Sequence, residues 1–98
     1  MIIKPGVYDD LAAAYLWYED IQAGLGQRLL DDFEELVSKI DFAPTAYRVV
    51  YRNYRRARMD VFPYYVHYQI DKDAITIMSV DHTSRNPREW KRRVKARS

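Results

Sequence analysis

The 98-residue chain contains no cysteine, which excludes a disulfide scaffold and any thiolate-bound zinc. Its two histidines are too few for a histidine-rich metal site, and its three glycines form no phosphate-cradling loop. No metal and no organic cofactor are therefore expected. No apolar run approaches the roughly 20 residues needed to span a bilayer, and the first residues lack a signal-peptide pattern. The expected location is the cytoplasm, with no membrane partner. At 11.7 kDa the chain is expected to form one domain over residues 1–98, too small for a two-domain cofactor enzyme. What it does hold is 48% hydrophobic and 31% charged residues, the balance of a folded globular protein rather than a disordered one.

Charge is segregated along the chain although the formal net value is only +2. Residues 1–47 carry 3 basic and 9 acidic side chains. Residues 48–58 carry Arg48, Arg52, Arg55, Arg56 and Arg58 and no acid. Residues 59–84 set Lys72 against four aspartates, and residues 85–98 hold 7 basic residues with only Glu89 opposed. Two cationic blocks of this kind can serve nucleic acid or an acidic protein partner, or simply keep a surface solvated.

The hydrophobic periodicity predicts two helices, then a sheet, then a tail. Met1–Lys4 suits a short edge strand, broken by Pro5-Gly6. From Val7 to about Gly24, Leu11, Ala14, Tyr15, Tyr18, Ile21 and Gln22 fall at helical steps, with Asp9 and Asp10 in the first turn. A second helix over about 25–41 has Leu29, Phe33, Leu36, Val37 and Ile40 on one stripe, with Glu35 and Lys39 in the favourable i, i+4 order. Strands are predicted at about 47–52, 55–61, 64–70 and 74–82, turning at Arg52-Asn53 and Asp71-Lys72-Asp73. Alternation puts Tyr64, Val66, Tyr68 and Ile70 on one face and Tyr65, His67 and Gln69 on the other. It likewise separates Ala57, Met59 and Val61 from Arg56, Arg58 and Asp60. Ile75–Val80 is apolar almost throughout and reads as a central strand. Asn86-Pro87 opens a short basic helix anchored by Trp90 and Val94. The fold class is α+β: an N-terminal helical hairpin on one face of a twisted antiparallel sheet of three to five strands. The opposite face, with Arg56, Arg58, Tyr65 and His67, is either open or covered by the tail.

The strings Phe62-Pro63-Tyr64-Tyr65-Val66-His67-Tyr68 and His82-Thr83-Ser84-Arg85-Asn86-Pro87-Arg88-Glu89-Trp90 resemble the RelE/ParE superfamily of bacterial toxins. So does the stretch from Trp17-Tyr18-Glu19 through Gly24-Leu25-Gly26, and the resemblance covers nearly the whole chain. It implies the toxin of a type II toxin–antitoxin pair, neutralised by a cognate antitoxin whose C-terminal segment wraps it. Operator DNA would be reached only through the antitoxin. Members of the superfamily either cleave messenger RNA on the ribosome or, in the ParE branch, inhibit DNA gyrase.

Chemistry discriminates between the branches. Attack by a 2′-hydroxyl needs a base, cations for the phosphorane and an acid for the leaving oxygen. Where the resemblance implies an arginine after the first tyrosine of the 64–70 strand, this chain has Tyr65. Where it implies a C-terminal tyrosine, the best-matched aromatic is Trp90, which has no proton to transfer in this role. Arg56 and Arg58 stand where lysines are usual; arginine holds phosphate well but shuttles protons poorly. The electrostatic half of a ribonuclease site survives and the proton-transfer half is degraded, so the ParE-like, non-hydrolytic reading is favoured. If the chain were a ribonuclease, Arg56, Arg58, Tyr65, His67, His82 and Arg85 would be its catalytic candidates. Arg55, Arg56, Arg58, Tyr65, His67, Arg85 and Trp90 are the candidates for contact with an antitoxin or target. Each has a structural alternative: His67 as a hydrogen-bonded core histidine, His82 as a turn tie, Trp17 and Trp90 as core or groove aromatics, and the arginines as a solvated strand edge. A decayed toxin acting only as a regulatory module is the third functional class.

Overall fold

The computed structural model describes residues 1–98. In chain order it comprises β1 (Ile2–Ile3), α1 (Pro5–Ile21), α2 (Leu25–Phe42), β2 (Val49–Tyr51), β3 (Tyr54–Arg58), β4 (Tyr64–Asp71), β5 (Ala74–His82) and α3 (Pro87–Arg97). The strands form one sheet in the order β1-β5-β4-β3-β2. The long strands are antiparallel, as expected, but β1 runs parallel to β5, so the sheet is mixed. β5 is buried from Ile75 to Asp81 because elements cover both of its faces.

The helical hairpin packs on one face through a core that includes Val7, Leu11, Ala14, Leu29, Phe33, Leu36 and Ile40. Ala57, Met59, Val66, Tyr68, Ile75, Ile77 and Val80 answer them from the sheet side. Pro5 and Gly6 are the first helical residues of α1 rather than a break before it, since proline fits the first turn, where no amide donor is needed. As a result Asp9 and Asp10 lie past the first turn, and Asp10 is free for another role. Gly24 takes the left-handed conformation (φ 95°) between the helices. α2 has no cap of its own; Glu19 of α1 accepts hydrogen bonds from the Gly24 and Gly26 amides at 2.9–3.1 Å and closes its N-terminus from across the turn.

The β3 strand stops at Arg58, three residues earlier than the alternation suggested. Asp32 of α2, itself buried, accepts from the Val61 and Phe62 amides at 2.9 Å, so the chain turns there and Val61 is left exposed. Lys72 and Asp73 both have positive φ, giving β4 and β5 a tight two-residue hairpin of the primed type. The β4–β5 register shifts between His67 and Tyr68: His67 faces Ser79 and Tyr68 faces Ile77, so Met78 is the extra residue of a bulge. That one residue inverts the parity of β5. Ile75 and Ile77 point to the hairpin, as does Val80, while Ser79 and Asp81 turn to the other face.

Two tyrosines of β4 report on this packing. Tyr68 is fully buried and donates to the Pro44 carbonyl at 2.7 Å. Burial pushes its phenol up to about 12, and burial followed by the neighbouring Tyr18 pushes Tyr64 to about 12 as well. A group that binds its proton more tightly when folded stabilises fully below its unfolded value and loses that contribution as pH rises through the folded one. Stability is therefore expected to fall between about pH 10 and pH 12. A tyrosinate absorbance titration should show two of the nine tyrosines ionising late, together with loss of the fold. Nine tyrosines ionising in one step before unfolding would refute it.

Candidate functional site

The second face of the sheet is covered by α3. Asn86 accepts from the Arg88 amide at 2.8 Å and caps the helix, and Pro87 occupies its first turn. Trp90 and Val94, four residues apart, are both buried against Tyr54 and Met78. The Trp90 ring stacks on His67 at 4.1 Å with an interplanar angle of 13°, and Tyr51 meets the Trp90 ring edge-on at 6.0 Å. The tail thus closes the face that the sequence left open or covered.

Beneath α3 lies a buried ionic network. Asp81 accepts from His67 Nδ1 at 2.8 Å, from Ser79 Oγ and from Arg93 at 2.6 Å, with Arg85 Nε 3.5 Å away. Arg93 also pairs with Asp10 of α1. Arg97 reaches Asp10 at 2.7 Å, and Asp10 accepts the Val80 amide at 3.0 Å. The side chains of Asp10 and Asp81 are 4% and 1% exposed, so these are carboxylates taken out of water and repaid by multiple charged donors. Burial, and then the adjacent Arg97, lowers the Arg93 guanidinium from its ordinary value, but an arginine with two carboxylates remains charged.

The eight residues singled out in the sequence fall into four places. Arg56, Arg58 and Tyr65 come together beside α3: Arg58 faces Tyr65 across the strand pair and the Arg56 guanidinium lies 4.2 Å from the Tyr65 ring. Arg55 points to the opposite face, where it donates to the Tyr47 carbonyl at 2.6 Å and holds the loop entering β2. His67 and Trp90 are buried under the helix and offer no surface. His82 and Arg85 lie at the far end, lining a cleft of about 310 Å³ with Asp9, Trp17, Tyr64 and Arg93. There His82 Nδ1 accepts from the Ser84 amide at 3.0 Å and tethers the turn into Arg85.

An ionised Asp81 only accepts hydrogen bonds, so His67 donates to it from Nδ1, and its buried Nε2 has no partner. A carboxylate-oriented imidazole with a free second nitrogen is the arrangement of a general base. Here it is fully buried and Trp90 lies flat against it, so no substrate reaches it while α3 is docked. Sequence reading missed Asp10, Asp81, Arg93 and Arg97. One signal was present: Arg93 and Arg97 share a helical face with Trp90 and Val94, so their charges had to be answered from the sheet.

A helical hairpin on one face of a mixed five-stranded sheet, with a C-terminal helix on the other, is the α+β architecture that the RelE/ParE resemblance implied. The comparisons with known proteins name the branch. Residues 1–87 match the family model described as ParE toxin of type II toxin-antitoxin system, parDE. The chain is 36% identical over 86 residues to Toxin ParE2 of Mycobacterium tuberculosis, in both strain CDC 1551 / Oshkosh and strain ATCC 25618 / H37Rv. Those matches cover 87% of this chain and 82% of the relative. The chain belongs to the ParE toxin family of type II toxin–antitoxin systems.

Proposed function

We propose that this ParE-family toxin arrests growth by inhibiting DNA gyrase without hydrolytic chemistry, and that a cognate antitoxin neutralises it. The observation that supports this reading above the ribonuclease one is the dispersal of the proton-transfer candidates. His67 is sealed beneath Trp90, His82 is tied to its turn, and Tyr65 has Arg56 over its ring while the imidazole beside it, 6.2 Å away, is the sealed His67. Phosphate-holding charge without proton transfer suits adhesion to a target, not cleavage of RNA.

The antitoxin's place follows from where apolar surface is left over. The arginine-bearing sheet face was the expected dock, but α3 covers it at His67 and Met78, leaving only Arg56, Arg58 and Tyr65 beside the helix. The hairpin instead carries a groove of about 600 Å³ lined by Ile3, Tyr8, Leu11, Leu30, Phe33 and Val37. A second groove of about 360 Å³ shares Tyr8, Leu11 and Leu30 with it. An amphipathic antitoxin helix laying its apolar side here would use the helix-in-groove mode of recognition.

The deciding experiment is expression of the chain with and without its antitoxin. Growth arrest with a DNA-damage response, intact messenger RNA and loss of supercoiling by purified gyrase is the expected result. Codon-positioned cuts in messenger RNA would move the chain to the ribonuclease reading. Unimpaired growth would leave only a regulatory role.

A further inference from the structure

The basic residues of α3 are sorted by face. Arg93 and Arg97 turn inward to Asp10 and Asp81, and Glu89, the only acid of the helix, faces Arg85 at 3.6 Å. Arg88, Lys91, Arg92 and Lys95 have no carboxylate within ion-pair distance. They fall at i, i+3, i+4 and i+7, one continuous stripe about 10 Å long on the outer side of the helix. With Tyr51 of β2 they line a shallow cleft of about 350 Å³. Lys91 Nζ sits 5.0 Å from the Tyr51 ring, and Arg52 from the following turn sits 5.3 Å from it, extending the cationic surface.

We infer that this stripe binds the phosphodiester backbone of a double-helical nucleic acid, directly and without reading its sequence. Arg88, Lys91, Arg92 and Lys95 supply the contacts. A duplex carries one charge per about 1.7 Å of axis, about six over the stripe's length of about 10 Å, enough for its two strands together to answer all four cations. The alternatives lack a foothold. A folded protein segment needs apolar pockets for its anchors, and Tyr51 is the one apolar side chain lining this cleft. A lipid surface needs apolar residues aimed outward, and those of α3, Trp90 and Val94, are buried against the sheet. The family match ends at residue 87, where α3 begins. The inference does not rest on gyrase being the target, and backbone contact reads no operator, a task that stays with the antitoxin.

The test is fluorescence anisotropy of a short labelled DNA duplex of arbitrary sequence, titrated with the full chain across salt, with an RNA duplex of the same sequence as a second arm. Four neutralised phosphates give a log–log salt slope of about −3 to −4, and affinity falling about 10²-fold between about 50 and 200 mM salt. The double variant R92Q/K95Q should lower the slope by about 2 while melting like the parent. Arg28→Gln, at an exposed position of α2 on the other side of the sheet from α3, should leave it unchanged. Comparable slopes on both duplexes would support the shared backbone chemistry; binding to one alone would assign the source. An unchanged slope in R92Q/K95Q would overturn the proposal. So would failure to bind either duplex at low salt, or binding to anionic vesicles alone.

Discussion

Replacing Asp81 by alanine is expected to cost roughly 3–5 kcal/mol, the toll of breaking a buried ion pair from one side. The substitution strands more than one partner. His67 Nδ1 loses its acceptor, Ser79 Oγ loses its own, and Arg93 keeps Asp10 but gives up a 2.6 Å bond. His67 and Ser79 lie where water does not reach, since both are 0% exposed. Against a typical total of about 5–15 kcal/mol, this is a large share. In a chain of this size the midpoint of thermal unfolding should drop by more than about 10 °C. Asp81→Asn should fall between, because one carbonyl oxygen still accepts while the new amide presents a donor to donors. A double-mutant cycle with Arg93→Met should give a coupling energy above about 1 kcal/mol. A melting shift of only a degree or two for Asp81→Ala would show that the network is not holding α3.

The second large effect is expected at Trp90. Truncating a buried tryptophan to alanine costs about 3–5 kcal/mol in a rigid core. Here the ring fills the space between His67 and Tyr51, and with Val94 it is the whole apolar attachment of α3. The loss should therefore surface locally, as undocking of the front of the helix, before the hairpin–sheet core gives way. Trypsin should cut at Arg88, Lys91 and Arg92 at least about tenfold faster, and the amides of that half should lose exchange protection. The β4 and β5 amides should keep theirs, because their ladder and the larger core are untouched. Unaltered protection in α3 would mean that the ion pairs alone suffice to seat it.

Much of this architecture was written in local pattern. The stripe of Leu29, Phe33, Leu36 and Ile40 declares a helix because burying it leaves no other option. Asp71-Lys72-Asp73 declares a hairpin because the short turn demands positive φ. The parity of Arg55 against Arg56 and Arg58 already assigned it to the opposite face, even though composition grouped the three together. Other features were not local. The bulge at Met78 is a property of two strands in register, and nothing within β5 marks it. The pairing of Asp10 with Arg93 and Arg97 joins residues 83 and 87 positions apart, and each looks like an ordinary surface charge until the helix is placed. The site shared that fate: its residue types were readable, but which were buried depended on how α3 lay.

Asp10 binds the opening helix to the closing one. During synthesis this clasp cannot fasten until the ribosome has released nearly everything between, a matter of seconds at about 5–20 residues per second. Through that interval the nascent chain carries an unanswered acid, an uncovered sheet and an already exposed apolar hairpin. An antitoxin made alongside it would meet a half-shut protein, and could take hold before the poison is finished.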